Sequence, residues 1–145
     1  MKQKLKLALV GAGERGQYCY APYAKMHGYE IEFVAVADPH KGRREKFVQD
    51  YHVPAEGVFE TAEQFFARPR MADAVLICTQ DSQHYAYACQ AIDLGYSILL
   101  EKPISPSVRE CLDLQRRAEE KGTQIMVCHV MRYTKFYRKL KELID

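Results

Sequence analysis

The 145-residue chain lacks a charge of one sign, paired cysteines, any low-complexity stretch and any long apolar run. Each absence removes a class of protein. No run approaches the ~18 to 20 apolar residues of a membrane span, so no membrane partner is expected. With 21 Lys and Arg against 19 Asp and Glu, the net charge is only +2, and no sustained basic stripe offers a footprint for nucleic acid. The densest basic stretches, residues 41–46 and 132–141, fall on predicted helices and are interrupted by Glu45, Phe136 and Tyr137. They read as solvated helix faces. Cys19, Cys78, Cys89, Cys111 and Cys128 stand far apart, with no Cys-x-x-Cys pair and no histidine at zinc-ligand spacing, so no metal is expected. An odd count without a disulfide framework suits small buried hydrophobes in a reducing cytoplasm. The basic opening from Met1 to Lys4 has the look of a secretory leader. The apolar stretch behind it is broken by Lys6 and runs straight into Gly11, too short for a leader core.

What is present is the balance of an ordinary globular domain, with 48% hydrophobic and 28% charged residues. The length suits one domain, residues 1–145. Short β-rich apolar runs alternate with segments of helical period, which predicts βαβ units and a parallel sheet. Strands are expected at residues 5–10, 31–37, 58–59, 74–78, 97–100 and 125–130. Helices are expected at 14–26, at 41–51 (burying Phe47, Val48 and Tyr51) and in a short turn through Ala62, Phe65 and Phe66. Tyr85, Ala88, Cys89 and Ile92 recur at i, i+3, i+4 and i+7, a helical stripe that Gly95 stops. A further helix from Pro106 to near Gly122 should bury Val108, Cys111, Leu112 and Ala118. Phe136, Leu140, Leu143 and Ile144 mark a last amphipathic helix. About six strands with helices on both faces amount to a doubly wound α/β plan of the Rossmann type.

Chemistry gathers at the carboxyl ends of these strands. Gly11-Ala12-Gly13-Glu14-Arg15-Gly16 is a G-x-G-x-x-G sequence that follows a strand and opens a helix, the context a dinucleotide fingerprint requires. Gly11 permits the turn, Gly13 lets a pyrophosphate approach the backbone, and Gly16 lets helix and strand pack closely. The helix terminus presents free N–H groups and a positive dipole end to the phosphates. Asp38 ends the second strand 22 residues after Gly16, where a carboxylate accepts bonds from ribose hydroxyls and repels a 2′-phosphate, favouring NAD over NADP. The bland alternative makes Asp38 a cap for the Pro39 turn. His40, Lys41, Arg43 and Arg44 would soften the discrimination by neutralising a phosphate. Thr79, Gln80, Asp81 and Ser82 leave the fourth strand at the same edge, where Asp81 or Ser82 can cap the next helix, with or without a cofactor contact. His84 reads as a local hydrogen-bonding residue rather than an acid or base. Glu101-Lys102-Pro103 leaves the fifth strand.

With this tripeptide the chain resembles the glucose-fructose oxidoreductase and inositol dehydrogenase family (Gfo/Idh/MocA). The resemblance runs through Gly11 to Gly16, Asp38, the turn from Thr79 to His84, Gly95, Glu101 to Pro103 and the Arg132-Tyr133 pair. It departs at Gln80, where the family often has proline. The resemblance implies that Lys102 is catalytic, hydrogen-bonding the substrate oxygen that gains or loses a proton as hydride moves. An ammonium there meets developing alkoxide charge, and burial favours the neutral amine that proton transfer needs. Glu101 either orients the lysine or binds near the nicotinamide ribose. The cofactor-binding set is then Gly11, Ala12, Gly13, Glu14, Arg15, Gly16, Asp38, Thr79, Gln80, His84, Glu101, Lys102, Pro103 and Arg132. Family members continue into a substrate domain that also supplies an acid-base residue and a possible homo-oligomer contact. On that pattern the chain is expected to be a fragment that is inactive alone. The expected activity is hydride transfer between NAD and a CH–OH group of a sugar, polyol or related small molecule. The rival is a non-catalytic NAD-binding sensor or interaction module.

Overall fold

The computed structural model describes residues 3–145, so Met1 and Lys2 of the basic opening lie outside the described residues. Six parallel strands, β1 (Leu5–Val10), β2 (Ile31–Ala37), β3 (Val58–Phe59), β4 (Ala74–Ile77), β5 (Ser97–Leu100) and β6 (Ile125–Val127), form one sheet in the order β3-β2-β1-β4-β5-β6. This is the doubly wound order, and the winding reverses between β1 and β4. The helices are α1 (Pro22–Met26), α2 (Lys41–Tyr51), α3 (Ala62–Phe66), α4 (His84–Asp93), α5 (Val108–Lys121) and α6 (Lys135–Ile144). Alternation along the strands divides the core in two. Ala8, Val10, Val75, Ile77, Ile98 and Leu100 face α3, α4 and α5, while Leu7, Leu9, Phe33, Val36 and Leu76 face α1 and α2. In the second layer Phe33, Phe47 and Tyr51 meet ring against ring at centroid separations of 4.5 to 5.3 Å, a contact worth more than its area alone.

Several elements differ from the expectation. The first helix is two pieces. Glu14–Tyr20 is wound as a wide π turn, with the Ala21 N–H reaching the Gly16 carbonyl five residues back at 3.0 Å, and α1 then starts at Pro22. Proline brings no N–H and its ring crowds the carbonyl four residues earlier, so a regular helix does not continue through it. α5 begins at Val108, not Pro106, and buries Leu114. Leu112 lies about 200° around the helix from Leu114, and both it and Val108 are exposed. β4 and β6 stop short, at Ile77 and Val127. Of the cysteines only Cys128 is buried, Cys78, Cys89 and Cys111 are half-buried, and Cys19 is exposed because it rides the outer side of the wide turn. α6 forms where expected, yet all of its residues are exposed, and its apolar side is left largely open beside the Val130–Tyr133 turn.

Phe47 is fully buried, whereas Leu112 is 62% exposed. Urea unfolding should show Phe47→Ala costing about 3 to 5 kcal/mol and Leu112→Ala less than about 0.5 kcal/mol. Equal losses would mean that α5 packs through a different side.

Candidate functional site: the dinucleotide edge

The three fingerprint glycines are required for three different reasons. Gly11 has φ of +94°, and a Cβ there would strike the Cys78 carbonyl oxygen at 2.5 Å. At Gly16 a Cβ would meet the Gly11 carbonyl oxygen at 2.4 Å and Leu9 Cδ1 at 2.8 Å. Gly13 differs from both, since the nearest atom to its Cβ position is Arg43 Nη1 at 3.9 Å. The backbone is therefore clamped at its ends and open in the middle. A concavity of about 280 Å³ lies over that middle, lined by Ala12, Gly13, Gln17, His40 and Arg43 among others.

Asp38 is 4% exposed and its carboxylate is already in use. Oδ2 accepts the Ala12 N–H and Oδ1 the His40 N–H, both at 2.8 Å. The cap expected for the Pro39 turn is thus present, and with it an unforeseen brace from β2 onto the glycine turn 26 residues earlier. A carboxylate offers about four acceptor positions, so ribose hydroxyls can still be received beside these two bonds. Arg44 turns inward, donating to the Asp38 carbonyl at 2.7 Å and pairing with Glu60 at 3.3 Å. Of the basic residues considered for phosphate neutralisation, it is withdrawn, whereas Arg43 and His40 border the concavity.

Beyond β4, Asp81 and Ser82 do not cap α4. A short turn, Asp81–Gln83, comes first, and the Gln83 side chain accepts the Gln80 N–H at 3.2 Å. His84 is buried, with Nδ1 2.6 Å from the Pro103 carbonyl and Nε2 3.2 Å from the Thr79 carbonyl. It ties the loop after β4 to the loop after β5, as a structural hydrogen-bonding residue would. Glu101 is buried, Lys102 and Pro103 are exposed, and the Lys102–Pro103 peptide is cis. Glu101 Oε2 accepts the Lys102 N–H at 2.9 Å and Oε1 accepts the Tyr20 hydroxyl. Burial, then bonds to Cys128 and Glu101, hold the Tyr20 phenol well above its ordinary pKa. Burial likewise pushes the Cys78 and Cys128 thiols up. Glu14 and Arg15 are exposed at the start of the wide turn, and Arg15 reaches Cys19 Sγ at 3.9 Å. Arg132 is exposed on the Val130–Tyr133 turn after β6, beside α6 and away from the glycine turn. Sequence reasoning missed Tyr20, because the wide turn that aims it leaves no periodic signal.

Two buried side-chain atoms, Gln17 Nε2 and Thr79 Oγ1, have no hydrogen-bond partner. Both flank the reversal point between β1 and β4, where a bound dinucleotide would bring polar atoms. Buried polar groups are rarely left unmatched. Together with the open backbone at Gly13, they fit a dinucleotide along this edge. Two roomier clefts, of about 540 and 650 Å³, open at the opposite, amino ends of the strands, around Lys25 and Asp50 and around Tyr29 and Asp73. They lack the helix terminus and glycine backbone that bind phosphate.

Comparison with known proteins identifies the family. The Gfo/Idh/MocA oxidoreductase family, described as an NAD-binding Rossmann fold, matches residues 5–129. The chain belongs to this family. An inositol 2-dehydrogenase of Pseudomonas savastanoi pv. phaseolicola is 30% identical over 143 residues, covering 97% of this chain and 41% of the relative. The scyllo-inositol 2-dehydrogenase (NAD(+)) of Bacillus subtilis is 29% identical over 147 residues, covering 100% of this chain and 41% of its own length. The apo scyllo-inositol dehydrogenase of Lactobacillus casei superposes with a TM-score of 0.86 at 22% identity, over 100% of this chain and 42% of that one, a likeness of fold. The chain thus spans about two fifths of the length of the curated relatives it matches. Its cofactor class is NAD, within an NAD-binding Rossmann domain.

Replacing Asp38 by alanine orphans two backbone donors at once, a loss on the scale of about 1 to 3 kcal/mol. NADH affinity should fall about tenfold or more as the glycine turn loosens, since 1.4 kcal/mol is a factor of ten. Calorimetric titration beside a denaturation curve checks both, and unchanged NADH affinity would reduce Asp38 to a turn cap.

Proposed function

We propose that the protein to which this domain belongs oxidises a CH–OH group of a polyol, sugar or related small molecule, and reduces the corresponding carbonyl, by hydride exchange with NAD. The single observation that carries the reading is that Lys102, directly after buried Glu101 at the end of β5, shares the carboxyl edge with the glycine turn. The inositol dehydrogenases among the relatives support the polyol class. NAD, when bound, supplies the hydride chemistry. The chain's own residues bind and orient. The open backbone at Gly13 and the helix terminus through Glu14, Arg15 and Gly16 face the pyrophosphate, Gly11 and Ala12 shape the turn through bonds to Ala37 and Asp38, and Asp38 receives the adenosine ribose. Thr79, Gln80, His84, Glu101 and Pro103 line the nicotinamide side, and Arg132 closes the far end.

In the oxidation direction, neutral Lys102 Nζ takes the hydroxyl proton as the hydride leaves carbon. In reverse the ammonium returns that proton and meets the developing alkoxide charge. Lys102 is exposed in this domain, so the water-excluding cover belongs to a second, substrate-binding domain. The exposed Phe136, Leu140, Leu143 and Ile144 of α6 are apolar surface suited to contact with that domain. Such a protein works in the cytoplasm on a small-molecule substrate, with homo-oligomer contacts supplied by the second domain.

Steady-state kinetics of the full-length protein over a sugar and polyol panel test the reading. Lys102→Ala should keep NAD binding and the melting temperature yet lower kcat by about 10² or more. Lys102→Arg should rescue poorly, because a guanidinium stays protonated. No turnover of any panel member, or a kcat within about threefold of the parent in Lys102→Ala, would overturn it.

A further inference from the structure

We propose that Tyr20 is a positioning residue whose hydroxyl holds the Glu101 carboxylate off the neighbouring Lys102 ammonium. This rests on the role given to Lys102 above. Glu101 and Lys102 are adjacent in sequence, and an unrestrained carboxylate beside a lysine at an exposed turn is free to pair with it. Here the carboxylate is held at both oxygens, Oε1 by the Tyr20 hydroxyl and Oε2 by the Lys102 backbone N–H, which fixes its orientation. Among the described residues Lys102 enters no ion pair.

The bond spans 81 positions of sequence, and it bridges the loop after β1 to the loop after β5, over the end of β4 that lies between them. Its reach comes from the wide turn. Closing the Ala21 N–H onto Gly16 rather than Gln17 adds one residue to the turn, and Tyr20 is its last residue. Wide turns of this kind are frequent at functional sites. The other titratable groups facing Glu101 or its loop are Arg15 and Cys19 from the wide turn, Cys78 after β4, His84 at the start of α4 and Cys128 after β6. Arg15, exposed and bonded to Cys19, carries the fixed positive charge among them. Burial keeps Cys78 and Cys128 as neutral thiols. The Tyr20 phenol stays protonated and is therefore a permanent donor to the carboxylate.

An adjacent negative charge favours an ammonium over the neutral amine. Tyr20→Phe removes the donor but keeps the ring. In this chain labelled with ¹⁵N, the titration midpoint of the Lys102 Nζ signal should rise by about half a pH unit in Tyr20→Phe. That is roughly threefold tighter proton retention, the scale of an exposed ion pair. The rise should vanish in Tyr20→Phe/Glu101→Gln. In the full-length protein the pH at which kcat/KM reaches half its plateau should move the same way, with KM for NAD unchanged. If Tyr20→Phe does not fold, Tyr20→Leu serves in its place. An unmoved midpoint, or a rise that survives Glu101→Gln, overturns the proposal. The signal is read without turnover, so it separates this proposal from the catalytic reading, which fails independently if Lys102→Ala retains kcat.

Discussion

No side chain fits between Gly16 and the strand it leaves, because a Cβ would stand 2.4 Å from the Gly11 carbonyl oxygen and 2.8 Å from Leu9 Cδ1. That close approach sets the direction in which the chain departs from β1. It brings the first turn down over the end of the strand and leaves the open backbone at Gly13 facing outward. The Gly11 turn is pressed from the other side by the Cys78 carbonyl at the end of β4. β1 and β4 are the two strands between which the sheet reverses its winding order. A crevice at such a point is where open α/β sheets bind ligands, so steric exclusion at two glycines shapes the crevice proposed for the cofactor.

Polar bonds then tie the surrounding loops to this clamp. Asp38 braces the glycine turn from β2, His84 joins the loops after β4 and β5, and Tyr20 crosses from the wide turn to Glu101. Each uses a buried or half-buried group whose loss would leave a partner unmatched, which costs more than the bond itself contributes. The edge is tied together around the glycine turn and exposed at Lys102. α6 and its apolar side stand apart from this network.

The strands are legible in the sequence because parallel strands buried on both faces read as continuous apolar runs, as at Ile31–Ala37. The glycine turn is legible because Gly11 and Gly16 answer separate steric demands while Gly13 leaves the backbone open between them. What stays hidden is long-range or local-geometric. Nothing periodic marks the wide turn that breaks the first helix, so Tyr20 reads as an ordinary helical residue. The second use of Asp38, bonding Ala12 across 26 residues, depends on strand adjacency that only the assembled sheet provides. Val34 is skipped in the β1–β2 register, and its carbonyl lies 2.0 Å from the Cβ position of Gly57, a bulge that single-residue preferences do not encode. On α5, apolar residues on two sides made Leu112 look buried, although the helix meets the core through Leu114 and half-buried Ala118.

The most direct measurement is amide chemical-shift mapping of this chain titrated with NADH. The largest changes should fall on residues 11–16, 38–43, 79–84 and 101–102, all at the carboxyl edge. Gly28, Ile31, Tyr51 and Asp73, which line the larger clefts at the opposite edge, should stay still. Changes concentrated at those amino-end residues, with the glycine turn unmoved, would contradict the account.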